Sequence, residues 1–214
     1  MATNPRPDEK EIMAYYPEEY GPYQLNTARV EKMVAHQEKH PFLFSLVDPC
    51  IFKVGREKCA DCELKILEIG CGAGNFLYEL RLRFPKWKLV GTDFSVRSIE
   101  KLQEKGIEAY VSDLKELPHT DKSQDIVYGF MIVEHLHRLE QTLDEVKRVL
   151  KDDGKFVIAV PNIKSWQFRV FGKYAYILHI PAHLYHFSEK SLTAEKKKNG
   201  FAVESVTYHR TLQD

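Results

Sequence analysis

The sequence predicts an α/β fold, in which a mostly parallel sheet carries helices on both faces. Two observations predict it: short apolar segments alternate with helical segments after Lys65, and the first of these segments runs into a glycine-rich turn that opens a helix. The chain has 214 residues, of which 43% are hydrophobic. That length allows one globular domain and little more.

The predicted strands and helices follow one another as repeated βα units. The strands are expected at 65–69, 87–93, 107–112, 125–131 and 154–161. The helical segments between them are NFLYELRLRF, SVRSIEKLQEKG and RLEQTLDEVKRVL, and Ser95 is the expected N-cap of the second. A last unit is expected to consist of a helix capped by Ser188 and a strand over FAVESVTYH.

Residues 1–60 are predicted to be an N-terminal extension with helices that caps the substrate site. Asn26 is the expected N-cap of a helix over TARVEKMVAHQEKH, which Pro41 interrupts. Residues 61–214 are then the main domain. Within it, residues 162–187 combine seven aromatic side chains with three cationic ones, which favours a lid over an acceptor site. A helical hairpin that only packs on the sheet is the alternative.

The composition limits which classes of binding partner and which cellular compartment the sequence predicts. Lys plus Arg and Asp plus Glu both number 31, so the formal net charge is zero, which argues against nucleic acid as a partner. Neither a signal peptide nor an apolar stretch long enough to span a membrane is recognisable, so the sequence predicts a soluble, cytoplasmic protein. The cysteines, including the pair Cys59 and Cys62, are expected to be reduced.

The strongest motif is the turn KILEIGCGAGNF. Its glycines, Gly70, Gly72 and Gly74, let the backbone turn sharply and let a nucleotide-type ligand approach the N-terminus of the next helix. A dinucleotide fingerprint needs a third glycine at position 75, where this chain has Asn75. The turn therefore favours a nucleotide-type cofactor other than a dinucleotide.

Two acids follow the next two strands. Asp93 ends the second strand, where a carboxylate can accept hydrogen bonds from both ribose hydroxyls, and Asp113 ends the third. In open α/β sheets the carboxyl edge of the strands is where ligands bind. Both acids are therefore predicted to face the ligand of the glycine turn.

These motifs resemble those of a known superfamily. LEIGCGAGN, GTDFS, SDLKELPHTDKSQDIV and DGKFVIAVPN are similar to motifs of the class I S-adenosylmethionine-dependent methyltransferases, over about residues 60–208. Within that superfamily the similarity is greatest to the branch that methylates small molecules and includes the quinone-biosynthesis O-methyltransferases. The resemblance implies a Rossmann-like sheet and S-adenosyl-L-methionine as cofactor.

The resemblance also implies a set of cofactor-binding residues. They are Glu68, Gly70, Cys71, Gly72, Gly74, Asp93, Phe94, Asp113, Leu114, Phe130 and Met131. In that arrangement the glycines wrap the methionine half of the cofactor, Glu68 supports them and Asp93 holds the ribose. Phe94 and Leu114 sandwich the adenine, whose amine Asp113 reaches. The last two residues of the set line the methionine tail and the path of the methyl group.

Three histidines are candidates for activating an acceptor hydroxyl. His135 belongs to the pair Glu134–His135 beyond the fourth strand, and His183 and His186 belong to PAHLYHFS. The alternative for His135 is helix capping or packing, and the alternative for His183 and His186 is an imidazole that only anchors a loop. Metal-dependent relatives carry the pattern ExxEH, in which Met131 here replaces the first acid, so no metal site is predicted.

The preferred hypothesis is transfer of a methyl group from S-adenosylmethionine to an oxygen of a small molecule, with nitrogen or carbon as less favoured acceptors. A non-catalytic methyltransferase-like scaffold subunit is one alternative, and a nicotinamide-dependent oxidoreductase is a weaker one. The family's usual last antiparallel strand has no counterpart before the sequence stops at HRTLQD. The exposed sheet edge predicts a homodimer or poor solubility.

Overall fold

The computed structural model describes residues 2–3, 5–8, 10–16, 24–40, 51–59, 61–175 and 178–208. The chain divides into two compact units. The first, here called the sheet unit, comprises Glu18–Phe130 and Glu145–Ile158. The second, here called the histidine unit, comprises Met1–Pro17, Met131–Asp144 and Ala159–Asp214.

A five-stranded sheet confirms the predicted α/β class. Its strands are β1 Lys65–Ile69, β2 Lys88–Asp93, β3 Glu108–Val111, β4 Gln124–Phe130 and β5 Leu150–Ala159. They lie in the order β3-β2-β1-β4-β5, and β1 pairs in parallel with both β2 and β4. The strand order reverses beside β1, so the carboxyl end of β1 is the place where this topology binds ligands.

The described helices are α1 Thr27–Lys39, α2 Ile51–Cys59, α3 Asn75–Arg83, α4 Val96–Glu104, α5 Leu139–Val149, α6 Trp166–Phe171 and α7 Glu189–Lys198. Five of them agree with predicted segments, whereas α2 and α6 match no predicted segment. The predicted N-caps Asn26, Ser95 and Ser188 are confirmed, because each side-chain oxygen accepts a backbone N–H three residues further on. In the described part of the chain, no helix is long and apolar enough to cross a membrane.

The core of the sheet unit lies on both faces of the sheet. Ile66, Leu67 and Ile69 of β1 have no exposed surface, which is typical of a parallel strand covered on both sides. At the edge of this core, the rings of Phe84 and Trp87 stack with centroids 4.0 Å apart. Burial of these apolar side chains stabilises β1 and so positions the glycine turn that follows it.

The predicted last strand is wrong. Residues 201–208, which contain FAVESVTY, are described without strand structure, and Val206 and Tyr208 are largely exposed. The alternation of apolar and polar residues was a local signal, and a local signal does not supply the neighbouring strand that pairing requires.

The expectation of reduced thiols is also wrong for one pair. Cys59 and Cys62 are joined by a disulfide. Their Cα atoms lie 5.4 Å apart, within the usual range for a bridge, because the CxxC spacing at the end of α2 brings them together. Cys71 is a buried free thiol, and Cys50 lies outside the described residues.

Candidate functional site

The glycine turn lies between β1 and α3, at the carboxyl end of the central strand. Gly70, Gly72 and Gly74 have φ angles of 67°, 52° and 77°, a region that L side chains rarely adopt. Gly74 is the N-cap of α3 and offers no side-chain cap, so the first N–H groups of the helix stay available to a ligand.

Asp93, at the end of β2, holds this turn in place. Its Oδ2 accepts a hydrogen bond from the Gly72 N–H at 2.9 Å, and its Oδ1 accepts one from the Ser95 N–H at 2.9 Å. Burial raises the pKa of this carboxyl group, while these backbone donors lower it. The sequence predicted a ribose ligand here and missed the bond to Gly72, which joins two distant segments.

Glu68 provides a test of whether the site fits the implied cofactor. Its carboxyl group is buried, and Oε2 has no hydrogen-bond partner among the described residues. Burial, followed by the charge of Asp93, raises the pKa of Glu68 well above its ordinary value. A buried acceptor without a partner, beside the clamped turn, fits a ligand that carries hydrogen-bond donors, such as the ammonium and ribose groups of S-adenosylmethionine.

Other predicted cofactor residues of the sheet unit lie in varied surroundings. The Cys71 side chain is part of the buried core, where burial raises the pKa of its thiol well above the ordinary value. Phe94 is half-buried, and Leu114 is buried with a φ of 62°. Asp113 is exposed and forms an ion pair with Lys115 at 2.6 Å, so it is the least enclosed of the predicted contacts.

The last two predicted cofactor residues differ from each other. Phe130 is half-buried and belongs to an aromatic group with Phe76 and Tyr128, whose ring centroids lie 4.8 and 5.5 Å away. Met131, the first residue of the histidine unit, is 51% exposed and has a φ of 51°. Its N–H donates to the carbonyl of Ala159 at 2.9 Å. The roles of both residues toward the cofactor stay predictions.

We expect Gly74→Ala to destabilise the protein by about 2–4 kcal/mol. A Cβ at this position would lie 2.3 Å from Leu102 Cδ1, so overpacking adds to the cost of the positive φ. Gly106→Ala is the matched control: φ there is 71°, but the nearest atom to a Cβ, on Arg81, is 3.9 Å away. Urea unfolding measures both variants, and equal losses of stability would contradict the packing argument.

Asn75, the residue that departs from the dinucleotide fingerprint, fastens part of the N-terminal extension to α3. Its Oδ1 accepts the Asn26 N–H at 3.0 Å, and its Nδ2 donates to the Gln24 carbonyl at 2.9 Å. Further along the two helices, the Tyr78 hydroxyl donates to Glu31 at 2.6 Å. The segment before α1 is therefore held at the start of the helix that follows the glycine turn.

The histidine unit brings together the two predicted histidine groups. Glu134 and His135 lie in a 3-10 turn, Val133–His135, directly after β4. The Glu134 carbonyl accepts the N–H groups of Leu184 and Tyr185 at 2.8 and 3.1 Å. As a result, the rings of His135 and His183 meet edge to face with centroids 4.6 Å apart.

Val133 and Glu134 of this turn are buried, and His135 is half-buried. Glu134 has no exposed surface, and neither of its carboxylate oxygens has a hydrogen-bond partner among the described residues. Burial raises the pKa of Glu134 to about 8 and lowers the pKa of His135 to about 4. His135 Nδ1 lies 3.0 Å from the Ala182 carbonyl oxygen and 2.6 Å from the Tyr16 hydroxyl.

Residues near the start of the chain hold the second histidine group. The Thr3 hydroxyl donates to the His183 carbonyl at 2.5 Å and lies 3.2 Å from His186 Nε2, while the Thr3 N–H donates to the Leu184 carbonyl at 3.0 Å. His186 is buried, which lowers its pKa. The sequence carried no periodic signal for these contacts, because they join positions about 180 residues apart.

The predicted lid, 162–187, carries exposed aromatic side chains. Trp166, Phe171 and Tyr174 are 53%, 53% and 81% exposed. Tyr176, one of the seven aromatic residues of this segment, lies outside the described residues, as does residue 177. The function of this segment as a lid, and that of residues 1–60 as a cap, stay predictions.

Comparisons with known proteins give a consistent result. A family model described as a methyltransferase domain matches residues 23–206. A structure of a SAM-dependent methyltransferase from Aquifex aeolicus superposes with a TM-score of 0.59 at 20% identity, over 85% of this chain and 92% of that one. At that identity the likeness concerns the fold.

Two curated relatives act on different acceptors. The tRNA N(3)-methylcytidine methyltransferase Mettl2 of Drosophila melanogaster is 28% identical over 69% of this chain and 52% of its own length. A malonyl-[acyl-carrier protein] O-methyltransferase of Hahella chejuensis is 30% identical over 45% of this chain and 36% of its own length. The chain thus spans about half or less of the length of these relatives.

Proposed function

The chain belongs to the methyltransferase domain family, and from that premise we propose that it transfers the methyl group of S-adenosylmethionine to an oxygen atom of a small molecule. The observation that best supports binding of the methyl donor is the glycine turn at the carboxyl end of β1, where Asp93 accepts the Gly72 N–H. In this proposal the cofactor-binding residues are those predicted from the sequence.

The main requirement on the protein is to align the acceptor oxygen with the methyl group. S-adenosylmethionine supplies a methyl group on a positively charged sulfur, which is already a good leaving group. The acceptor oxygen forms a bond to the methyl carbon while the carbon–sulfur bond breaks and its electron pair stays on sulfur. The hydroxyl proton passes to a base, and holding the reactants in line at about 3 Å provides most of the acceleration.

Acceptor activation is assigned to His135, His183 and His186. A neutral imidazole can accept the proton of a hydroxyl, and burial keeps His135 neutral because it lowers its pKa to about 4. Nδ1 of His135 lies 3.0 Å from the Ala182 carbonyl oxygen, which can only accept, and 2.6 Å from the Tyr16 hydroxyl, which can accept or donate. In the tautomer with the proton on Nδ1, Nε2 keeps its lone pair. Nε2 is therefore the atom available for the acceptor side of the reaction.

A small-molecule acceptor is favoured by charge. Equal numbers of basic and acidic residues leave no net positive field to gather a polyanion. The similarity to a tRNA methyltransferase makes tRNA the competing acceptor to test.

Methyl-labelled S-adenosylmethionine, incubated with the protein and either a panel of aromatic, quinone-like and acyl-thioester hydroxyl compounds or total tRNA, tests the proposal. We expect label in an alkali-stable methyl ether or in a methyl ester of the small-molecule panel, and none in the tRNA. Loss of label transfer in His135→Gln with unchanged donor affinity would assign His135 to the acceptor side. Label in tRNA alone would overturn the small-molecule assignment.

A further inference from the structure

Glu134, His135 and His183 form a compact set of donor atoms in the histidine unit. One ligand atom from each of these side chains can be chosen so that all three lie within 4.8 Å of one another. Bonds of about 2.0–2.2 Å to a central ion place tetrahedral donors roughly 3.4 Å apart, so side-chain rotations of about 1 Å would complete a coordination sphere. Among the described residues this is the group with such geometry.

The carboxylate of Glu134 points to a ligand independently of that geometry. Its side chain is 1% exposed, and both oxygens are without a hydrogen-bond partner in the described part of the chain. Ionising a buried carboxyl group that has no partner is costly, and a bound cation that displaces the proton would compensate for that cost. Oε1 lies 4.0 Å from His135 Nε2, too far for a hydrogen bond and wide enough for an ion between the two atoms.

His135 is oriented as metal-bound histidines are. Such histidines usually donate their second ring N–H to a carbonyl or carboxylate, which fixes the tautomer and the ring. Here Nδ1 lies 3.0 Å from the Ala182 carbonyl oxygen, and Nε2 faces Glu134. His183 is buried against the same ring, at a centroid distance of 4.6 Å.

We propose that Glu134, His135 and His183 bind one divalent transition-metal ion, with Zn²⁺ as the best fit. Two imidazoles and one carboxylate are donors that suit Zn²⁺, Co²⁺ or Fe²⁺, whereas Mg²⁺ and Ca²⁺ prefer oxygen ligands throughout. Three protein ligands leave at least one position open, as in catalytic rather than structural zinc sites. The sequence did not predict this site, because Met131 interrupts the ExxEH pattern and His183 is 48 positions away from His135.

The open position would take an oxygen ligand. If the methyl acceptor is a hydroxyl compound, which rests on the proposed function, the ion would lower the pKa of the bound hydroxyl so that its proton could pass to water. His135 Nε2 would then hold the ion and would not act as the base. Binding of the ion itself does not depend on methyl transfer, so the two proposals can fail separately.

Calorimetric titration of the full chain tests the metal site in the absence of S-adenosylmethionine and of any methyl acceptor. The protein carries no affinity tag and is first treated with a chelator. With ZnCl₂ as probe we expect one equivalent to bind, and with MgCl₂ no binding at the same concentrations. CoCl₂ should produce visible absorption bands of nitrogen- and oxygen-ligated Co²⁺ with the same stoichiometry. Absence of Zn²⁺ binding, or equal binding of Mg²⁺, would overturn the proposal.

Variants locate the ion. Glu134→Gln and His183→Gln should each weaken Zn²⁺ binding by more than about 100-fold, since even loss of a supporting outer residue costs about 10–100-fold. His36→Gln, on an exposed position of α1, and Cys62→Ser, in the disulfide pair, should leave binding unchanged. Unchanged binding in the first two variants, or loss in Cys62→Ser, would place the ion elsewhere and contradict the assignment. Near-ultraviolet circular dichroism checks that each variant is folded.

Discussion

Asp93→Ala is expected to weaken binding of S-adenosylmethionine by about ten- to a hundredfold. A hydrogen bond to a charged group contributes about 1.5–3 kcal/mol, and about 1.4 kcal/mol corresponds to a factor of ten in affinity. The substitution removes the predicted ribose ligand and also the acceptor for the Gly72 N–H, so the glycine turn loses its clamp. Calorimetric titration with S-adenosylmethionine measures the effect.

Two variants separate these contributions. Asp93→Asn keeps one accepting oxygen for the backbone and loses the charge, so it should retain the fold while still binding the donor more weakly. Asp113→Ala removes an exposed carboxylate that is paired with Lys115, and its effect should be clearly smaller than that of Asp93→Ala. Unchanged donor affinity in both folded Asp93 variants would refute the assigned role.

Glu68→Gln is expected to stabilise the ligand-free protein at alkaline pH and to leave it nearly unchanged at acidic pH. The unfolded chain releases the Glu68 proton above about 4.5, whereas burial keeps the proton bound in the folded state to a much higher pH. The folded state therefore binds more protons over that range, and the wild type loses stability as pH rises, by up to about 1.4 kcal/mol per pH unit. Glutamine has no proton to lose, so the variant escapes this loss.

Urea unfolding across a pH series measures the difference between the two proteins. Glu145→Gln is a control for which the change in stability has the opposite sign. The hydrogen bond from Arg148 holds the pKa of Glu145 below its ordinary value, so the ionised carboxylate stabilises the fold. Its removal should therefore lower the stability at neutral pH. A Glu68→Gln variant whose stability follows the wild-type pH curve would show that Glu68 is ionised in the folded state.

Local patterns in the sequence were sufficient for the secondary structure of the sheet unit. The apolar runs that predicted β1, β2 and β4 reflect strands covered on both faces, and Ser95 and Ser188 cap helices by bonds to residues three positions away. Such signals depend on neighbours along the chain. The strand predicted over 201–209 is absent from its described part, 201–208, because pairing requires a partner that the local pattern does not reveal.

The candidate site was predictable only where one segment carries it. The glycine turn and the acids at the strand ends could be recognised from the motifs themselves. The Asn75–Asn26 bond and the contact of Thr3 with His183 join distant positions, so they depend on the path of the chain. The same is true of the meeting of Glu134 and His135 with His183, which turns two separate histidine motifs into one donor set.

Parallel calorimetric titrations of the purified chain with S-adenosylmethionine, S-adenosylhomocysteine and NADH test the central claim most directly. The glycine turn with Asn75 in place of the third fingerprint glycine, together with the clamp by Asp93, predicts that both adenosyl compounds bind at about micromolar concentration. NADH should give no signal. Binding of NADH, or no binding of either adenosyl compound by the folded chain, would contradict a methyl-donor site at the end of β1.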